Sequence, residues 1–146
     1  MNGKLYAPIL VLVGSLAAAT SGAMGDEPLV VEGNRLWAEQ QFEPAESRYR
    51  QAIAESPESP TAHRQLAALL LAQGRNRDAI EAYQTAITLD PGNAGLFAAL
   101  AVAYVHEGSF SAARAMCQQA LQLDPEVAGA QSLLQYIEAK ADAAPF

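Results

Sequence analysis

Pro57, Pro91 and Pro125 stand 34 residues apart, and a chain that returns to one pattern at a fixed interval of this length has few folds open to it. Each copy must be a supersecondary unit that buries its apolar face only by stacking on its neighbour. Cutting at that interval gives blocks 26–59, 60–93 and 94–127. The second and third agree at Leu66 and Leu100, Gly74 and Gly108, Ala79 and Ala113, Ala86 and Ala120, and through Leu89-Asp90-Pro91 and Leu123-Asp124-Pro125. The first block diverges more, yet keeps Gly33, Leu36, Ala45, Tyr49, Ala52 and Pro57 at the matching places.

Two amphipathic helices fit each block. In the second, Leu66, Leu69 and Leu70 recur at helical spacing, Gly74 supplies a turn, and Ala79, Ile80, Tyr83, Ala86 and Ile87 resume the spacing. Ser59 and Asn93 stand where N-caps are needed, Pro60 follows at a first helical position, and each block-ending proline cannot continue the helix before it. Small residues at Ala45, Ala79 and Ala113, and again at Ala52, Ala86 and Ala120, allow close helix approach. After the third block, Val127, Ala130, Leu133, Leu134 and Ile137 form an apolar stripe with Gln131, Gln135 and Glu138 opposite. This predicts a seventh helix over 127–141 that caps the open end of the stack, with a tail that frays from Ala139 and is fully loose over 143–146.

The residues before the blocks have a different character. One lysine precedes an apolar run, Ile9 to Leu16, and a stretch of small residues, the three parts of an export signal. The run is shorter than the ~20 apolar residues that cross a membrane. Cleavage after Ala23 is expected, with Ala17–Ala19 as a second place for it, leaving a repeat domain over 24–142. The alternative is an uncleaved anchor, since Leu5 to Gly25 carries no charge. The expected location is therefore the periplasm, or the inner membrane facing it. Removal of 1–23 takes Lys4 and no acid, so the net charge moves from −7 to −8.

Composition narrows the function. With 9 basic against 16 acidic residues, the chain is poorly suited to a nucleic-acid backbone, which needs a cationic surplus. The single cysteine excludes an intramolecular disulfide framework or a cysteine-built zinc site. Cys117 falls on an inward helix position with no base or cation beside it to lower its pKa, so it reads as a buried structural thiol. His63 and His106 lack Asp, Glu or Cys at ligand spacing, so no metal is expected. The glutamates Glu39, Glu43, Glu46, Glu55 and Glu58 recur as solvated helix-face and turn residues. Phosphate-loop, serine-hydrolase and zinc-protease motifs are all missing from the sequence, and neither catalysis nor a cofactor is expected.

The blocks resemble the tetratricopeptide repeat family. Its pattern runs through Phe97, Leu100, Ala101, Tyr104, Ala113, Cys117, Ala120 and Pro125 in the third block. In the second it runs through His63, Leu66, Ala67, Leu70, Ala79, Tyr83, Ala86 and Pro91, and in the first through Leu29, Glu32, Gly33, Leu36, Ala45, Tyr49, Ala52 and Pro57. Cys117, His63 and Glu32 depart from the residue types usual at their positions. The resemblance implies an all-α, right-handed superhelical solenoid of three helix-turn-helix repeats and a capping helix. It also implies a groove lined by the first helix of each pair.

Carried over residue by residue, the groove would comprise Asn34, Trp37 and Ala38, then Arg64, Ala68 and Leu71, then Ala98, Val102, Val105 and His106. Relatives that grip a C-terminal carboxylate place Lys, Asn and Arg on this surface. Here only Asn34 and Arg64 offer such chemistry, so the trough should suit an extended apolar segment or a partner helix. Trp37 is the candidate aromatic anchor, with packing between helices as the alternative. Arg64 is the candidate groove cation, with an ordinary surface ion pair as its alternative. The function expected is a non-catalytic adaptor that holds a protein or peptide. The second reading is a membrane-anchored assembly factor that associates with copies of itself.

Overall fold

The computed structural model describes residues 27–143; the expected export signal, 1–23, and residues 144–146 of the expected tail lie outside the described residues. Among the described residues seven helices follow one another: α1 (Pro28–Ala38), α2 (Phe42–Glu55), α3 (Pro60–Ala72), α4 (Asn76–Leu89), α5 (Ala94–Glu107), α6 (Phe110–Leu123) and α7 (Ala130–Ala143). The described residues contain no strand. The starts of α3 and α5, and of α2, α4 and α6, recur at the interval of the prolines.

Local chemistry sets these boundaries. Pro28 and Pro60 open their helices, where a missing N–H costs nothing. The Ser59 hydroxyl accepts from the Ala62 amide at 3.2 Å, and Asn93 Oδ1 accepts from the Gly95 amide at 3.1 Å, so both expected N-caps are formed. The second helices close alike, with the amides of Ser56, Asp90 and Asp124 donating to the carbonyls of Ala52, Ala86 and Ala120 at 2.8–2.9 Å just before each proline. Gly74 and Gly108 take positive φ in the turns inside the second and third pairs. The equivalent residue of the first pair is Gln40, with φ +62, a conformation that opposes a side chain by ~1–2 kcal/mol.

Packing follows a row rather than a centre. Each helix touches the next; beyond that α1 meets α3, α3 meets α5 and α5 meets α7, whereas α2, α4 and α6 do not meet one another. The first helices therefore lie inside a curve and the second helices are splayed outside it. Three apolar clusters run along the stack, around Tyr49 and Leu69, around Tyr83 and Leu100, and around Cys117 and Ile137. The alanines at positions 45, 79, 113, 52, 86 and 120 are all buried in the stack. This is an all-α helical repeat solenoid.

The capping helix departs from its expected bounds at both ends. It starts at Ala130 rather than Val127, because the Val127 amide turns back to the Asp124 carbonyl at 3.1 Å and Gly129 is left-handed at φ +80, which a continuous right-handed helix cannot contain. It continues through Ala139 to Ala143, held at its inner face by buried Ile137. Its place in the stack is that of a further first helix, packed on α5 and α6.

Candidate partner-binding groove

Every residue carried over to the groove falls on α1, α3 or α5, the inner row. Their surroundings differ along it. On α1, Asn34 Oδ1 accepts from the Tyr49 hydroxyl of α2 and from Gln65 Nε2 of α3, both at 2.7 Å. One amide oxygen thus ties three helices together. Burial pushes the Tyr49 hydroxyl up to about 12. Trp37 is partly buried against the first cluster and Leu71 against the first and second, so both contribute packing, while Ala38 is exposed and Ala68 partly so.

Arg64 is exposed and has no carboxylate within ion-pair distance among the described residues. It lies close enough to Tyr83 for its charge to oppose the upward push that burial gives that phenol. Val105 packs on the third cluster. His106 is exposed in the last turn of α5, and its carbonyl accepts from Asn76 Nδ2 at 3.2 Å.

Ala98 and Val102 do come together, in a trough of about 630 Å³ between α5 and α7. Val127, Leu133 and Tyr136 form its far wall. Val102 is 36% and Tyr136 46% exposed, and the Lys140 ammonium lies 5.8 Å from the centroid of the Tyr136 ring. Sequence reasoning treated this helix only as a lid and so missed Ser132, Leu133 and Tyr136. The signal was present: one repeat interval beyond Ala98, Ala99 and Val102 stand Ser132, Leu133 and Tyr136. Gln65 was missed as well, because nothing along the chain marks it as the partner of Asn34.

Beside the start of α4 the cations are engaged. A hollow of about 350 Å³ beside the start of α4 is lined by Arg75, Arg77, Asp78 and Glu107. Its cations are already held, Arg75 by Glu46 at 2.9 Å and Asp78 at 3.0 Å, Arg77 by Glu107 at 2.9 Å. Cys117 is fully buried and its thiol is pushed up by that burial, the reverse of what activates a nucleophile. Among the described residues no three His, Cys, Asp or Glu side chains converge, and no helix is long and apolar enough to cross a membrane. The inner row can bury apolar surface and hold a few polar groups.

Two tetratricopeptide-repeat profiles match the chain, over residues 30–94 and 70–137. No curated protein matches it. Among solved structures, it is similar to the first tetratricopeptide domain of Spaghetti (RPAP3) bound to an HSP90 peptide, with TM-score 0.75, 16% identity, and coverage of 79% of this chain and 91% of that one. It is similar to the Sgt2 domain from Aspergillus fumigatus, with TM-score 0.75, 21% identity, and coverage of 85% and 89%. The second domain of human RPAP3, in complex with an HSP70 peptide, gives TM-score 0.72, 24% identity, and coverage of 75% and 92%. These likenesses show the fold, and the two profiles overlap to span 30–137. With the repeat register of its residues carried into paired helices, the chain belongs to the tetratricopeptide repeat family.

Proposed function

We propose that the protein is a non-catalytic adaptor that holds a partner polypeptide on the concave row of α1, α3, α5 and α7. The observation that carries this is the apolar trough at Ala98, Val102 and Tyr136, an open surface that helix packing leaves uncovered. Structures of the same fold contain HSP90 and HSP70 peptides, which supports a peptide segment as the occupant. The apolar walls favour aliphatic or aromatic contacts over a carboxylate clamp, and exposed Arg64, rather than Asn34 with its oxygen already bonded to Tyr49 and Gln65, orients the segment toward the other end of the row. Residues 1–23 direct the chain to the periplasm, and cleavage after Ala23 releases it.

Capture from the native host with the tagged chain, after cross-linking, tests the groove. A partner retained by the natural sequence should be lost with Val102→Asp and weakened with Arg64→Ala, while Thr88→Asp on the outer helix α4 keeps it. Unchanged capture by both groove variants, with helicity intact, would remove the groove from the reading. Sequencing the N-terminus of the exported protein tests the location. A chain that still begins at Met1 favours the anchored reading, for which the uncharged stretch Leu5 to Gly25 is the supporting observation.

A further inference from the structure

We infer that the turn between α3 and α4 is an electrostatic clasp that closes the free edge of the solenoid and so sets how far α1, α3 and α5 spread at their C-terminal ends. Connectivity makes the two edges of the stack unequal. Along one edge the chain itself joins each pair to the next, through loops 56–59 and 90–93. The Ser59 and Asn93 amides turn back to the Ser56 and Asp90 carbonyls at 3.1 and 3.3 Å and keep those loops tight. Along the opposite edge lie the turns inside the pairs, at Gln40, Gly74 and Gly108. Each of these links two helices of one pair, so nothing covalent ties one turn to the next. The pairs can splay at that edge, with the loops of the other edge as hinges.

Three consecutive residues bridge the free edge. Arg75 reaches back to the first pair, its Nη1 2.9 Å from Glu46 Oε2 on α2. Asn76 and Arg77 reach forward to the third pair: Asn76 Nδ2 donates to the His106 carbonyl at 3.2 Å and Arg77 Nε to Glu107 Oε1 at 2.9 Å, both at the end of α5. Asp78 and Arg50 steady the backward pair, Asp78 on Arg75 at 3.0 Å and Arg50 on Glu46 at 2.7 Å. The device belongs to the middle of the stack. One interval away, the positions of Arg75, Asn76 and Arg77 hold Gln41, Phe42 and Glu43 on one side, and Ser109, Phe110 and Ser111 on the other. The turn with a helix pair on both sides thus carries two cations, and the outer turns carry none at these places. Exposed ion pairs add little to overall stability, and Arg77 is 86% exposed, so the clasp acts on the spacing of the turns rather than on the unfolding midpoint.

Distances between paired spin labels on the full chain, measured by double electron–electron resonance in a Cys117→Ala background, test this. One pair spans the free edge, at Glu43→Cys and Ser111→Cys; the other spans the loop edge, at Glu58→Cys and Glu126→Cys. All four positions are exposed. Arg75→Gln with Asn76→Ala and Arg77→Gln should lengthen the first distance by about 2 Å or more, the scale on which packed helices shift, and leave the second unchanged. The chain with its clasp intact should move the same way in about 1 M salt, where charges are screened beyond ~3 Å, while the triple variant no longer responds. Arg77→Glu alone should lengthen the first distance, and Arg77→Glu with Glu107→Arg should restore it. A first distance unchanged in the triple variant with circular dichroism intact, equal lengthening of both distances, or failure of the charge exchange to restore the spacing would overturn the inference. If the triple variant does not fold, the salt response of the intact chain decides, and a first distance that salt leaves unchanged overturns the clasp equally.

Discussion

The two ends of the inner row share one helical frame and fill it with opposite chemistry. At the first pair, Gly33 lies directly under the Tyr49 ring, Tyr49 is fully buried, and Asn34 Oδ1 gathers bonds from Tyr49 and Gln65. At the third pair the same two positions hold Ala101 and Cys117, both fully buried against Ile137, and the groove beside them is apolar and open. Bulk is shared across the pair of positions: Gly with Tyr, Ala with Tyr in the second pair, Ala with Cys in the third. The repeat thus fixes where helices meet, while exchange of volume and polarity at those meetings decides which end is locked and which presents surface to a partner.

That contrast can be broken most severely at Tyr49. Tyr49→Ala should cost ~3–5 kcal/mol, the range for deleting a buried large aromatic side chain, whereas Cys117→Ala, which removes about one methylene's worth of contact, should cost ~1 kcal/mol; urea unfolding of both variants measures the difference. Equal losses would mean that the first pair is no more tightly held than the third. Gly33→Ala comes next. A methyl there overlaps the Tyr49 ring, with Cδ1 only 2.7 Å from the added carbon, and such overpacking costs ~1–3 kcal/mol, although alanine is the natural residue at the equivalent positions 67 and 101. A change in midpoint too small to measure would show that Tyr49 can yield.

Smaller effects sharpen the same comparison. Tyr49→Phe keeps the ring and leaves Asn34 bonded to Gln65, so it should cost ~0.5–1.5 kcal/mol, the net worth of one hydrogen bond. It should also alter the alkaline limb. The folded hydroxyl sits at about 12 against an ordinary 10, so the unfolded chain loses its proton first and stability falls between those values. Below pH 10 the contribution is complete, and the variant should show a shallower loss above it. Gln40→Gly should raise stability by ~0.5–1 kcal/mol, since relief of a left-handed side chain outweighs glycine's greater entropy loss; Gly108→Gln should do the reverse at the other end. An unchanged urea midpoint in both would show that the turn bears no strain.

Much of this architecture was legible from residue types and spacing. Ser59, Asn93, Pro60 and the three period-marking prolines located helix ends because capping and the missing proline N–H are local effects. The buried alanines were legible for the same reason, since a small residue repeated at one position has a single economical use. The groove was legible only in outline. Asn34 and Arg64 stand on the inner row as expected, but the bonds that occupy Asn34 depend on Gln65, 31 residues away, and such pairing exists only after α1 and α3 have packed. The start of α7 was misplaced because Val127 fits the apolar stripe, while the left-handed turn at Gly129 that excludes it is not visible in a hydrophobic pattern.

The sequence by itself determined the repeat: its period, the number of paired helices, their caps and breaks, and the small residues at their contacts. Those features follow from interactions within a turn or two of chain, which each block encodes afresh. Only the tertiary structure decided which side chains remain available to a partner. Trp37 and Val105 were drawn into the packing, Asn34 was bonded across three helices, and α7, read as a lid, became a wall of the trough. Exposure is a property of neighbouring helices meeting in space, and two residues a repeat apart acquire a shared surface only when the stack brings them side by side.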